Sequence, residues 1–208
     1  MNQPQLKLYG VALSGHCHRV KLFLHLLGIK YEQIEAGADV RATADFRKLN
    51  PLGQIPVLVD GDLVITDSNA ILVYLAKRYA ADSSWLPEDA AGAAQVQRWL
   101  SIAAGELRFG PANARIYALW KMGKDDPVRA AEIGHALLAF MEQHLAHRDY
   151  LATAQPTIAD LACHSYVAHA PEGGIALDAY PAVRAWLARI EKLPGFVAMP
   201  RSAIPEAA

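Results

Sequence analysis

Two short segments carry the residues best suited to chemistry: Asn50-Pro51-Leu52-Gly53-Gln54-Ile55-Pro56-Val57-Leu58 and Thr66-Asp67-Ser68-Asn69-Ala70-Ile71. The first is a turn and an X-Pro bond entering a strand, which places strand-like backbone groups at Ile55 where an extended peptide can pair with them. The second is an acid–serine pair opening a helix, where amide groups and a hydroxyl suit a carboxylate. Together they are equipment for holding a small acidic peptide. Each also has a plainer role: Pro56 as an ordinary trans proline at the start of an edge strand, Asp67 as a helix N-cap. A third segment, Leu13-Ser14-Gly15-His16-Cys17-His18-Arg19-Val20, brings a hydroxyl and a thiol to the start of a helix. Cys17 could exchange with a disulfide or be a small buried residue. His16 and His18 flank it, but such near neighbours on a helix cannot converge tetrahedrally on one metal, so no metal site is expected.

The elements that must position these residues fall into two halves. Between residues 5 and 80 short strand-like and helix-like segments alternate. Leu6–Tyr9 reads as a strand, Cys17–Leu27 as a helix ended by Gly28, and Lys30–Glu35 as a second strand. Residues 56–59 and 62–65 flank Asp60-Gly61 as a hairpin, and Asp67–Tyr79 reads as a helix with Ile71, Leu72 and Leu75 on one face. Residues 81–87 read as a linker, with Trp85 and Leu86 docking it. Beyond it strand signals vanish, and helices are predicted over roughly 88–122, 127–147, 157–169 and 180–191. Pro127 suits a first helical turn, and Thr157-Ile158-Ala159-Asp160 is a capping-box variant.

Composition narrows the function classes. The 208 residues are 53% hydrophobic and 20% charged, which suits one large domain or two small ones and argues against disorder. A formal net charge of -1 gives no general attraction to nucleic acid or to anionic membranes. No apolar run approaches the ~20 residues needed to span a bilayer, and the first residues lack a secretory pattern. With two widely separated cysteines, a cytoplasmic location is expected.

Ile55-Pro56, Asp67-Ser68 and the Thr157–Asp160 cap, in this order and spacing, resemble the cytosolic glutathione transferase family. The resemblance spans essentially the whole chain and is closest to serine-dependent classes such as theta, phi and zeta. It implies an α/β thioredoxin-like domain over 1–80, a linker over 81–87 and an all-α domain over 88–208. It further implies glutathione as co-substrate, small electrophilic and moderately apolar partners, and a homodimer whose seam is the first long helix of the second domain. Ser14 stands at the catalytic position as a hydrogen-bond donor to the glutathione thiolate, with helix capping as its plainer alternative. An unperturbed thiol, with a pKa of about 8.5, is mostly protonated near neutral pH, so such a donor matters. Ile55, held by a cis bond to Pro56, would pair with the cysteinyl unit, and Gln54 would bond the glycyl end. Asp67 and Ser68 would take the γ-glutamyl group, His16 would line the pocket, and Arg41, ahead of Arg47 and Lys48, would meet the glycyl carboxylate. Leu13, Phe109 and Arg115 are expected to line the electrophile pocket, with Ile116 and Tyr166 as further candidates and Glu106 as a partner for the arginines. Disulfide or peroxide reduction, isomerisation, or a non-catalytic assembly role on the same fold remain open at this point.

Overall fold

Leu6-Lys7-Leu8-Tyr9-Gly10 alternates fully buried with half-buried residues, the pattern of a strand with a protected face. In the computed structural model, which describes residues 6–122 and 126–204, this segment is β1 (Leu6–Gly10) at the centre of a four-stranded sheet. The strand order is β2-β1-β3-β4, with β2 (Tyr31–Glu35), β3 (Val57–Asp60) and β4 (Leu63–Thr66). β1 and β2 are parallel, joined through the helix α1 (Gly15–Leu26); the remaining pairs are antiparallel. Asp60 pairs with Leu63, so the hairpin turn is Gly61-Asp62, one residue beyond the predicted Asp60-Gly61. Two short helices, α2 (Ala38–Ala42) and α3 (Ala44–Leu49), precede β3, and α4 (Ser68–Tyr79) follows β4.

Helices α1 and α4 pack on each other, and Val20, Leu22, Phe23 and Leu24 of the one and Ile71, Leu72 and Leu75 of the other are fully buried. Each fully buried apolar side chain of this size contributes roughly 1.5–3 kcal/mol. A second cluster of Ala36, Phe46 and Val57 takes in Tyr9 and Ile55, with the Tyr9 and Phe46 rings edge-on at 6.1 Å. The described residues up to Ser83 form one compact unit with Leu193–Pro200. That return segment belongs to the sheet-bearing unit, whereas the sequence placed it with the helices. The His18 ring bonds the Val197 carbonyl at 2.8 Å, a contact no local pattern announces.

The second unit, from Ser84 to Lys192 with the described residues after Pro200, is helical. The single helix expected over 88–122 is instead α5 (Ala90–Ala104), a π-helical turn (Arg108–Ala112) and α6 (Asn113–Trp120). Pro111 inside the turn removes one amide donor and cannot follow regular helical bonding. A Cβ on Gly110 would lie 2.8 Å from the Gly134 amide nitrogen, so the turn can approach α7 (Pro127–Leu145) this closely only as glycine. Asp126 caps α7, while Asp125, read as part of the same break, lies outside the described residues.

α8 (Ile158–Ala168) is buried from Ile158 through Val167, as expected of a helix surrounded by others, and α9 (Pro181–Glu191) buries Val183, Trp186, Leu187 and Ile190. The predicted capping box at Thr157 is present: Thr157 N–H donates to Asp160 Oδ2 at 2.8 Å, and Ala159 N–H donates to Thr157 Oγ1 at 3.2 Å. The same fully buried carboxylate accepts from Leu151 N–H and from the Trp186 indole, each at 2.9 Å. Burial pushes the Asp160 carboxyl up in pKa, against the pull of those donors, so the hydrogen bonds must offset a real desolvation cost. The linker docks through its backbone, Trp85 C=O accepting from Ile158 N–H at 2.9 Å. Because Asp160 satisfies donors from three separate segments, Asp160→Ala is expected to destabilise the chain by about 3 kcal/mol or more in urea denaturation. A loss below about 1 kcal/mol would reject this hub role.

Candidate active site in the sheet-bearing unit

Ser14 ends the β1–α1 loop in extended geometry (φ -87°, ψ 117°) and caps α1, its Oγ accepting the Cys17 N–H at 3.3 Å. The loop is closed by the Ser14 N–H donating to Val11 C=O at 3.2 Å. Capping and donation to sulfur are compatible, because a hydroxyl that accepts through a lone pair keeps its own hydrogen for another acceptor. Ser14 and Leu13 remain half-buried, so both are reachable at the end of this loop.

Cys17 points inward instead. It is buried, and a Cβ on Gly10 would stand 2.7 Å from its sulfur, which places the thiol against the end of β1. Burial pushes the Cys17 thiol up, more than the Ser14 hydroxyl, the Val11 backbone and the Arg41 charge draw it down. A buried, protonated thiol is a poor nucleophile. Neither Cys17 nor Cys163 forms a disulfide.

The second element is the turn before β3. Gly53 N–H closes it on Asn50 C=O at 2.9 Å, with Gly53 at φ +65°, a conformation that favours glycine. The buried Asn50 side chain then braces the loop from inside, donating to Gln54 C=O at 2.8 Å and accepting from Leu52 N–H at 3.1 Å. The Ile55-Pro56 bond is cis, as the resemblance implied. Strand pairing begins at Val57, so Ile55 lies just outside the ladder, and the Gln54 side chain is exposed.

Asp67 is a non-glycine residue at φ 70°, a backbone state costing on the order of 1–3 kcal/mol. Its carboxylate holds it there by capping α4, with Oδ1 accepting from Asn69 N–H at 2.9 Å and Ala70 N–H at 3.0 Å. Two helix-end amides that the sequence offered to a carboxylate are therefore already engaged by Asp67 itself. Ser68 is buried, and its Oγ lies 3.4 Å from His16 Nδ1, so His16 and Ser68 are brought together as expected.

Arg19, on the same helix as His16, was not singled out by sequence. It is only 1% exposed, and its Nη1 donates to Ser68 Oγ at 3.3 Å and to Asn69 Oδ1 at 2.8 Å. Of the three expected cations near the glycyl end, Lys48 pairs with Asp45 at 2.7 Å and Arg47 donates to Pro51 C=O at 2.8 Å. Arg41 is half-buried, donates through Nε to Gly37 C=O at 3.2 Å, and lies near enough to influence Cys17.

In the helical unit, Phe109 is 51% exposed beside the Arg108 guanidinium. Arg115 is different. It is 1% exposed, and its Nε donates to Glu172 Oε2 at 2.7 Å, so it belongs to a buried ion pair and not to a pocket wall. Burial pushes the Glu172 carboxyl up, yet hydrogen bonds from Ser202 N–H, Arg115 and His169 outweigh it and hold the carboxyl below its ordinary range. Glu106 is thus not the partner of Arg115, and Arg108 bonds Asn113. Tyr166 is core, and Ile116 is half-buried. Tyr117 and Trp120, both partly exposed on α6, were not singled out by sequence. Among the described residues no cluster of three or more His, Cys, Asp or Glu could hold a metal ion, and no helix is long and apolar enough to cross a membrane.

Comparison with known proteins agrees with this arrangement. Residues 13–78 match the glutathione S-transferase N-terminal domain, and residues 95–194 match the C-terminal domain. The chain is 35% identical to glutathione S-transferase 3 of Zea mays over 206 residues, covering 92% of this chain and 91% of that protein. The structure is similar to that of a glutathione S-transferase from Xanthobacter autotrophicus, with a TM-score of 0.86, 34% identity, and coverage of 94% and 97% of the two chains. It is also similar to a theta-class enzyme from Xanthomonas axonopodis solved with glutathione bound (TM-score 0.81, 28% identity, coverage 93% and 95%). Sequence and fold thus agree over both units, and the chain belongs to the glutathione S-transferase family.

Proposed function

We propose that the sheet-bearing unit is a cradle for glutathione in which Ser14 stabilises the thiolate, so that the chain transfers glutathione to small, moderately apolar electrophiles. Membership of the family makes it a transferase. The observation that carries the Ser14 assignment is its place: half-buried at the start of α1, its Oγ accepts the Cys17 N–H, and its hydrogen, which now faces the Cys17 thiol, can turn to a ligand sulfur. A donor to the thiolate, together with the α1 dipole, lowers the thiol pKa and raises the ionised fraction near neutral pH. Proximity of the electrophile does the rest.

In this proposal the cysteinyl unit pairs with the Ile55 backbone beside cis Pro56, and Gln54 reaches the glycyl end. The Ser68 N–H and hydroxyl receive the γ-glutamyl carboxylate, while the outer oxygen of Asp67 receives its ammonium group. His16 lines this end, and Arg41 supplies charge for the glycyl carboxylate. Leu13, at the end of the β1–α1 loop, faces the electrophile; Arg115 has no part in it, because its guanidinium is buried against Glu172. A reductase working through Cys17 is disfavoured by the burial of that thiol. We extend the proposal to a cytoplasmic homodimer, on the strength of membership of the family.

Ser14→Ala is expected to lower kcat/KM for conjugation of a chloronitrobenzene by about tenfold or more, while costing only about 1 kcal/mol in stability for the lost cap. The sign of its pH effect is fixed. Removing the donor raises the pKa of the bound thiol, so the rise of kcat/KM with pH moves to higher pH, toward the unperturbed value of about 8.5. An unmoved pH profile would reject the assignment. Cys17→Ala is expected to keep conjugation within about twofold, and iodoacetamide is expected to alkylate native Cys17 at least about tenfold more slowly than the unfolded chain. Loss of mixed-disulfide reduction in Cys17→Ala, with conjugation weak in both forms, would instead favour a reductase.

A further inference from the structure

We propose that Arg19 is a positioning residue for glutathione, acting through Ser68 to present a hydroxyl hydrogen to the α-carboxylate of the γ-glutamyl unit. This inference rests on the cradle assignment above. Arg19 lies five residues beyond Ser14 on α1, in the interior of the unit, and reaches the first turn of α4 with a single nitrogen. That nitrogen donates at 2.8 Å to Asn69 Oδ1 and at 3.3 Å to Ser68 Oγ.

The consequence follows from the inventory of a hydroxyl: one donor and two acceptor positions. An N–H directed at Ser68 Oγ occupies an acceptor position and turns the hydroxyl hydrogen away from the guanidinium. His16 Nδ1, at 3.4 Å from the same oxygen, is a long contact that an arriving anion can displace. A carboxylate arriving at the start of α4 is a better acceptor, and the bond it would receive is charge-assisted. Arg19 thereby sets the polarity of Ser68 before the ligand arrives, so the ligand does not have to order a free rotor. The Asn69 contact fixes where the guanidinium stands, since the carboxamide is itself held on the first turn of α4. Arg19 also ties together the two helix starts that the tripeptide must span, one carrying Ser14 and the other Ser68.

The test compares glutathione with γ-aminobutyryl-cysteinyl-glycine, which lacks only the α-carboxylate of the γ-glutamyl unit, using one chloronitrobenzene electrophile. The readout is the ratio of kcat/KM for the two thiols. The wild-type chain is expected to prefer glutathione by roughly tenfold or more. Arg19→Met is expected to bring that ratio to within about threefold of parity, chiefly by raising KM for glutathione, and Arg19→Lys to recover most of it. Equal losses with both thiols, or an unchanged ratio, would overturn the inference, because a purely structural arginine does not distinguish a carboxylate from its absence. Should Arg19→Met fail to fold, Asn69→Ala loosens the guanidinium without removing it; a lower ratio supports the inference and an unchanged one overturns it. A wild-type chain that shows no preference between the thiols would remove the cradle assignment and this inference together. Preference in the wild type that survives in Arg19→Met removes the inference alone.

Discussion

The hydrogen bonds from Arg19 to Ser68 and Asn69 are the interaction around which the sheet-bearing unit is organised. They join α1 to α4 at the ends where both helices begin, and helix beginnings are where unsatisfied amides and partial positive charge collect. Apolar packing between the two helices supplies most of the stabilisation, but packing alone leaves rotation and sliding cheap. A short bond from a buried planar group to the Asn69 carboxamide opposes that freedom. It links the helix that begins after Ser14 to the helix that begins with Ser68.

Around this tie, the residues proposed to meet the ligand also perform structural tasks. Ser14 caps α1 through its Oγ. Asp67 caps α4 with Oδ1, at the cost of a left-handed backbone state. Asn50 is spent wholly on structure, bonding both Gln54 and Leu52, and thereby holds the Ile55-Pro56 segment without touching ligand. The plain and the proposed roles of Ser14 and Asp67 are hard to separate on sequence grounds, because the same geometry is compatible with both.

The helical unit relies on a different device, buried carboxylates that serve several donors at once. Asp160 gathers the Thr157 cap, the Leu151 amide and the Trp186 indole. Glu142 caps α9 from α7, accepting from Ala182 and Val183 at 2.9 and 3.0 Å, because Tyr180 at the start of that helix offers no side-chain cap. Glu172 binds Arg115, His169 and Ser202. Such carboxylates are costly to bury and costly to remove, and they specify one packing of mutually apolar helices over its alternatives.

What the sequence determined by itself was whatever local physics dictates. The alternation in β1 and the apolar face of α4 follow from periodicity. The Thr157 box follows from two residues three apart, and the end of α1 from Gly28. The family resemblance went further, through Ile55-Pro56 and Asp67-Ser68, because their order and spacing along the chain are themselves informative. Tertiary structure decided everything that joins residues distant in sequence. It placed Arg115 on Glu172 instead of in a pocket, drew Leu193–Pro200 back to the sheet-bearing unit, and broke the predicted 88–122 helix where Gly110 meets Gly134. It also set Arg19 against Ser68, forty-nine positions away. A charged side chain reports its type in the sequence but not its partner, and the partner is chosen by which helices meet once the apolar faces have been buried.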